Sequence, residues 1–173
     1  MMKIVVVALL DHYKFLVNKM NSALLTEVVK DELTTIKKII GRECSLELAT
    51  TSKMLHAGYS LKIDITTPKT EGSALKDTIC QFNLSQFPGN CAMMITHETF
   101  QPPDYRKRGL SVPVQAMKAK IAKYLNYTIL LATTVPGNYN DKVLARAGFK
   151  RLDPLCFVST RTSNRITTWM KVL

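Results

Sequence analysis

The chain has 173 residues, 46% of them hydrophobic, with 24 Lys and Arg against 13 Asp and Glu for a formal net charge of +11. That length suits one well-buried domain, read here as residues 1–173, and excludes two comfortable ones, since no linker, low-complexity stretch or repeat divides it. The charge points to a polyanionic partner (a nucleotide cofactor, nucleic acid or an acidic protein face) or else to basic side chains that are simply solvated, and no apolar run approaches a membrane span.

Lys3 to Leu10 is a continuous β-rich apolar run. It reads as a buried first strand and not as a signal peptide, because Asp11-His12-Tyr13-Lys14 follows without a small-residue cleavage site. From Ser22 to Ile40 the period turns helical, with Leu25, Val28, Val29, Leu33, Ile36 and Ile40 on one face, Ser22 as N-cap and Gly41 as the stop. Ser45 to His56 is read as a second short helix ending near Gly58. Tyr59 to Thr66 alternates, placing Leu61, Ile63 and Ile65 opposite Lys62 and Asp64, as a half-buried strand does. After a polar loop over Pro68–Lys76, strands are expected at Thr78–Leu84 and Cys91–Thr99 around a turn at Pro88-Gly89-Asn90. The three form an antiparallel meander.

Pro102-Pro103-Asp104 ends the last of these strands, and Tyr105-Arg106-Lys107-Arg108-Gly109-Leu110-Ser111 leads into a helix over Val112–Tyr124. Val114, Met117, Ile121 and Tyr124 mark its apolar face, and Pro113 falls in the first turn, where its missing N–H costs nothing. Unpaired amides at a helix start, flanked by three cationic side chains and a glycine, make a cradle for phosphate or pyrophosphate; a solvated basic turn is the alternative. Thr128–Val135 is an apolar strand, which the helical crossover makes a parallel neighbour of Cys91–Thr99. Pro136-Gly137-Asn138 breaks it, Asp141–Ala147 is a short helix closed by Gly148, and Leu155–Thr160 with Ile166–Val172 form a hairpin around Thr162-Ser163-Asn164. The resulting order is β-α-α-β-β-β-α-β-α-β-β, of the α+β (mixed α/β) class. Cys44, Cys80, Cys91 and Cys156 are widely spaced, and His12, His56 and His97 show no ligand spacing. Reduced thiols in a cytoplasmic protein and no metal site are therefore expected.

That order, with a basic glycine loop after the fourth strand, resembles the GNAT superfamily of acetyl-CoA-dependent N-acetyltransferases. The likeness covers nearly the whole chain in element order and Phe100 to Phe149 in motif detail. The family loop Gln/Arg-x-x-Gly-x-Gly/Ala, often preceded by Pro-x-Tyr, is matched by Pro103 to Ser111 except that Ser111 replaces the final small residue. Gly148-Phe149 matches the later motif. The resemblance implies a three-layer fold with a central mixed sheet of about six to seven strands and helices on both faces.

It further implies acetyl-CoA as co-substrate, held where two parallel strands splay. The backbone of Thr99, Phe100 and Gln101 would pair with the pantetheine arm. Arg106, Lys107, Arg108, Gly109, Leu110 and Ser111 would surround the pyrophosphate, and Asn138 or Asn140 would touch the cofactor from the second loop. The implied reaction is direct attack on the thioester by an amine of a protein, a peptide or a small molecule. In the family a base or water chain deprotonates the amine, a backbone N–H stabilises the oxyanion and a tyrosine protonates the thiolate. Glu98 is the first choice of base, against the reading of an edge glutamate facing solvent. The tyrosine position, four residues before Gly148, is Leu144, and the neighbouring Tyr139 is its candidate substitute. The departures at Leu144 and Ser111 keep open a GNAT-like module that binds without turnover, and the charge keeps open a role on tRNA or other nucleic acid. A homodimer is compatible with the pattern.

Overall fold

The computed structural model describes residues 21–50, 60–70, 74–87, 90–158 and 165–173; the expected first strand at Lys3–Leu10 lies outside them, as does the hairpin turn at residues 162–164. The described residues open with α1 (Ser22–Val28) and α2 (Lys30–Ile40). One helix was expected here, but it breaks at Val29, whose φ is −112°. Val28 and Val29 are consecutive β-branched residues, which lose side-chain freedom in a helix. Leu25, Val29, Leu33 and Ile36 are buried on both sides of the break. The N-cap is Asn21 and not Ser22: Asn21 Oδ1 accepts from Ala23 N at 2.8 Å, while the Ser22 hydroxyl accepts from the Leu48 amide. Gly41 closes α2 in the left-handed conformation, with its N–H on the Lys37 carbonyl.

The second helix expected over Ser45–His56 is a correction. Residues Ser45–Thr50 form strand β1, paired antiparallel with β2 (Ser60–Pro68), and residues 51–56 lie outside the described part. Ser-Leu-Glu-Leu-Ala-Thr alternates, and the strand period wins because Leu46 and Leu48 pack on the core from one side. On the other, Glu47 bonds Lys76 and Thr66.

Strand β3 (Lys76–Phe87) and strand β4 (Asn90–Phe100) continue the antiparallel meander. A short 3₁₀ turn over Pro103–Tyr105 then leads to α3 (Ser111–Tyr124), β5 (Ile129–Thr134), α4 (Tyr139–Arg146), β6 (Lys150–Val158) and β7 (Arg165–Val172). The sheet order is β1-β2-β3-β4-β5-β7-β6, with β4 and β5 parallel across the α3 crossover as expected. The final hairpin begins earlier than the pattern suggested, at Lys150, because the register slips between Leu152 and Cys156, around Pro154, which has no N–H to give the ladder. Leu61, Ile63 and Ile65 are buried, and so are Val114, Met117 and Ile121 of α3. Lys120 on α3 pairs with Asp31 and Glu32 of α2, tying the two helices together. Among the described residues no helix is long and apolar enough to cross a membrane.

Candidate functional site

Two irregularities in the sheet build the site. The parallel pairing of β4 with β5 runs from Met93–Ile129 to Thr96–Ala132 and stops there, although β4 continues to Phe100 and β5 to Thr134. Opposite β3, the pairs Phe82–Thr99 and Leu84–Thr96 leave two residues of β4, His97 and Glu98, facing the single Asn83. This β-bulge bends β4 where it parts from β5. A cavity of about 430 Å³ opens at the parting, lined by Thr96, Thr99 and Gln101 of the β4 side, Ser111, Gln115 and Lys118 of α3, residues 132–135, and the start of α4.

The basic loop connects Gln101 to Ser111, both of which line the cavity. Pro103 turns the chain, Arg106 Nε donates to the Gln101 carbonyl at 2.8 Å, and the Arg108 guanidinium stacks 5.6 Å from the Tyr105 ring. Lys107 and Gly109 both have positive φ, 60° and 83°, which coils the loop so that its amides are not consumed by the sheet. A Cβ built on Gly109 would meet nothing within 4 Å, so the glycine faces open space. Leu110 is buried and anchors the loop, and α3 starts without any side-chain cap on its amides.

On the β5 side, Trp169 Nε1 donates to Thr134 Oγ1 at 3.0 Å, and Thr134 donates to Asp141. The other Asp141 oxygen accepts the Gly137 amide at 3.0 Å. This chain of bonds fixes the β5–α4 loop, and Asn138 caps α4 by accepting from Asn140 N.

Of the residues the sequence singled out, Thr99, Gln101, Ser111, Asn138 and Asn140 share the cavity wall. Phe100 is 52% exposed and lies off that wall, and Arg106, Lys107, Arg108 and Gly109 are not among the lining residues; they belong to the loop between Gln101 and Ser111, which are. Tyr139, expected on the loop before the helix, is the first residue of α4; it is 65% exposed and is not among the lining residues. Leu144, in contrast, is 3% exposed and lines the cavity. Glu98 sits at the bulge, with its side chain outside the described part.

Lys118 is the residue the motif reading missed. Its side chain is buried, with Nζ donating to Thr99 Oγ1 at 2.6 Å and standing 5.2 Å over the Phe82 ring. Burial pushes its ammonium down to about 8, opposed by the nearby Cys80 sulfur, while burial pushes the Cys80 thiol up to about 12. A signal was present: Lys118 falls four residues after Val114 and three before Ile121, a cation on the apolar face of its helix. Gln101 Nε2 and Gln115 Oε1, which also line the cavity, are buried polar atoms without a hydrogen-bond partner.

The sequence matches no protein-family model and no curated protein. The three-dimensional fold does have counterparts. A probable GNAT-family acetyltransferase from Chromobacterium violaceum superposes with a TM-score of 0.52 at 13% identity, over 65% of this chain and 56% of that one. A ribosomal-protein-S5-alanine acetyltransferase from Vibrio fischeri gives 0.51 at 16% identity, over 65% and 61%. A spermidine N-acetyltransferase from Vibrio cholerae, solved with CoA and spermine, gives 0.51 at 11% identity, over 65% of each. The matched region thus spans less than two thirds of each of these structures. The open mixed sheet and its helices match the GNAT acetyltransferase fold.

Proposed function

We propose that this chain, built on the GNAT acetyltransferase fold, binds acyl-CoA in the parting of β4 and β5 and passes the acyl group to an amine. The observation that carries the reading is the coincidence of three features at one place. Parallel pairing ends four residues before β4 does, β4 leads on into a glycine loop with left-handed residues, and Ser111, at the uncapped N-terminus of α3, lines the cavity. The donor set fits such a ligand. Amides of residues 107–111 and the α3 terminus suit a diphosphate, while Arg106 and Arg108 bring full positive charge. The stretch of β4 that leaves β5 offers backbone groups to an amide-containing arm, as a sheet edge does to an added strand. The orphaned donor of Gln101 lies along the same wall.

Acyl-CoA, when bound, supplies a thioester with an activated carbonyl carbon. The chain's own part is to hold that ligand by the loop and the β4 backbone, and to exclude water with the buried wall of Val114, Ala132, Val143 and Leu144. Glu98, at the bulge, is our candidate for taking the proton from the amine. Acceptors named for two of the structural counterparts, spermidine and a ribosomal-protein alanine, are the first to test. Leu144 favours one second reading, since leucine gives that wall no proton donor: the site then binds acyl-CoA without turnover. The deciding experiment is thermal denaturation with CoA and acetyl-CoA, followed by thiol release across an amine panel. A rise in melting temperature supports acyl-CoA binding, and its absence with both ligands refutes it. Thiol release at the uncatalysed rate across the panel selects the module without turnover.

A further inference from the structure

We infer that the cavity receives a carboxylate, gripped by Lys118 beside Thr99, so that one of the two substrates carries a negative group. The inference rests on the acyl-CoA reading above and adds a substrate class to it. The Lys118 side chain is 1% exposed, and its bond to Thr99 Oγ1 uses one of three ammonium donors. Phe82 covers it from one side. Among the described residues no carboxylate lies within ion-pair distance of it: the ion pairs there join other lysines to Glu27, Asp31, Glu32, Glu43, Glu47 and Asp77. A buried cation without a counter-ion is costly, and proteins keep one where a ligand completes it.

A second donor converges on the same space. Gln101 Nε2 is buried, unpartnered and part of the same lining. Gln115 presents an unpartnered Oε1 there, and a half-turn of its amide exchanges that oxygen for a further N–H donor. The diphosphate cradle does not account for Lys118. Seven residues separate it from Ser111 at the start of α3, which at 1.5 Å per residue is about 10 Å further along the helix. In the crossover α3 runs back along β4, and the Lys118 ammonium meets β4 at Thr99, three residues past the last β4–β5 pair, within the parting.

A carboxylate can arrive there from two sources: the far end of a dicarboxylic acyl chain, or the carboxylate of an amino-acid acceptor. Calorimetric titration separates them. In one arm acetyl-CoA and succinyl-CoA are titrated into the full chain; in the other, with CoA saturating, amino acids are titrated against their carboxamides. Lys118→Met and Lys118→Arg are measured alongside. In one arm the carboxylate form should bind at least about tenfold more tightly, the preference vanishing in Lys118→Met and surviving in part in Lys118→Arg. Preference for succinyl-CoA assigns the acyl chain, and preference for amino acid over amide assigns the acceptor. Equal affinities in both arms of the wild type overturn the inference and leave the acyl-CoA reading standing. Failure of every CoA species to bind overturns both. The wild-type comparison needs no variant, so the inference stays testable if Lys118→Met does not fold.

Discussion

Replacing Lys118 by methionine should stabilise the folded chain at neutral pH, and the gain should disappear in alkali. Burial holds the ammonium at about 8 against an ordinary 10.5. At about 1.4 kcal/mol for each pH unit of separation, the folded state carries a penalty of about 3 kcal/mol wherever both states are protonated, that is below pH 8. Methionine has a similar shape and no charge, but it forfeits the bond to Thr99 Oγ1, worth about 1 kcal/mol once the amine is neutral. The variant should therefore be more stable by about 2 kcal/mol at pH 7. Between pH 8 and 10.5 the unfolded chain binds more protons at this lysine than the folded chain does. Wild-type stability consequently rises with pH through that window relative to the variant, closing the gap near pH 10. Urea denaturation of both proteins from pH 6.5 to 10 measures it, and titrations common to the two cancel in the difference. A variant less stable than the wild type at pH 7, or a gap that does not move between pH 8 and 10, would refute the assignment of Lys118 as an uncompensated buried cation.

Gly109→Glu should abolish stabilisation by acetyl-CoA, because it sets a carboxylate in the open space at the loop and asks a left-handed φ of 83° from a residue with a Cβ; unchanged thermal shifts would contradict the cradle. Thr134→Val removes the link between Trp169 and Asp141 and should cost about 1–3 kcal/mol in urea denaturation, with faster amide exchange at Gly137; a loss under about 0.5 kcal/mol would show the network idle. Cys80, with its thiol pushed up to about 12, should resist maleimide at pH 7.5 until the chain unfolds, as read by peptide mapping; rapid labelling in the native state would contradict its burial.

Much of the architecture was legible because the relevant signals are local. Gly41, Gly148 and the proline turns punctuate the chain, and the helical spacing of Val114, Met117 and Ile121 names the buried face of α3. β1 was misread because Ser-Leu-Glu-Leu-Ala-Thr satisfies a strand period and, over six residues, a helical one as well; its pairing with β2, a contact far along the chain, decides. Asn21 and Ser22 are adjacent residues of nearly equal capping strength, and the choice turns on Ser22 facing Leu48 of β1. Within the site, the glycine loop announced itself by charge and spacing. Lys118 showed only as a cation on an apolar helix face, since its partners Thr99, Phe82 and Cys80 come from two other strands. The same holds for the β4 bulge, which exists only as a mismatch of register with β3.

The short seam between β4 and β5 has a mechanical side. Among the described residues seven strands form one sheet, yet its two halves, β1 to β4 and β5 with β7 and β6, meet along the stretch from Met93–Ile129 to Thr96–Ala132. Such a plate carries a notch, and flexing concentrates at the root of a notch. α3 bridges it as a strap, but among the described residues no β4–β5 pair closes the slot beyond Thr96–Ala132. A ligand that bonds both walls would act as a splint, damping the hinge between the leaves and slowing hydrogen exchange at Leu131 and Ala132 far more than at Ile63 or Phe82. Occupancy would then be felt across the whole breadth of the sheet, as stiffness and not as displacement.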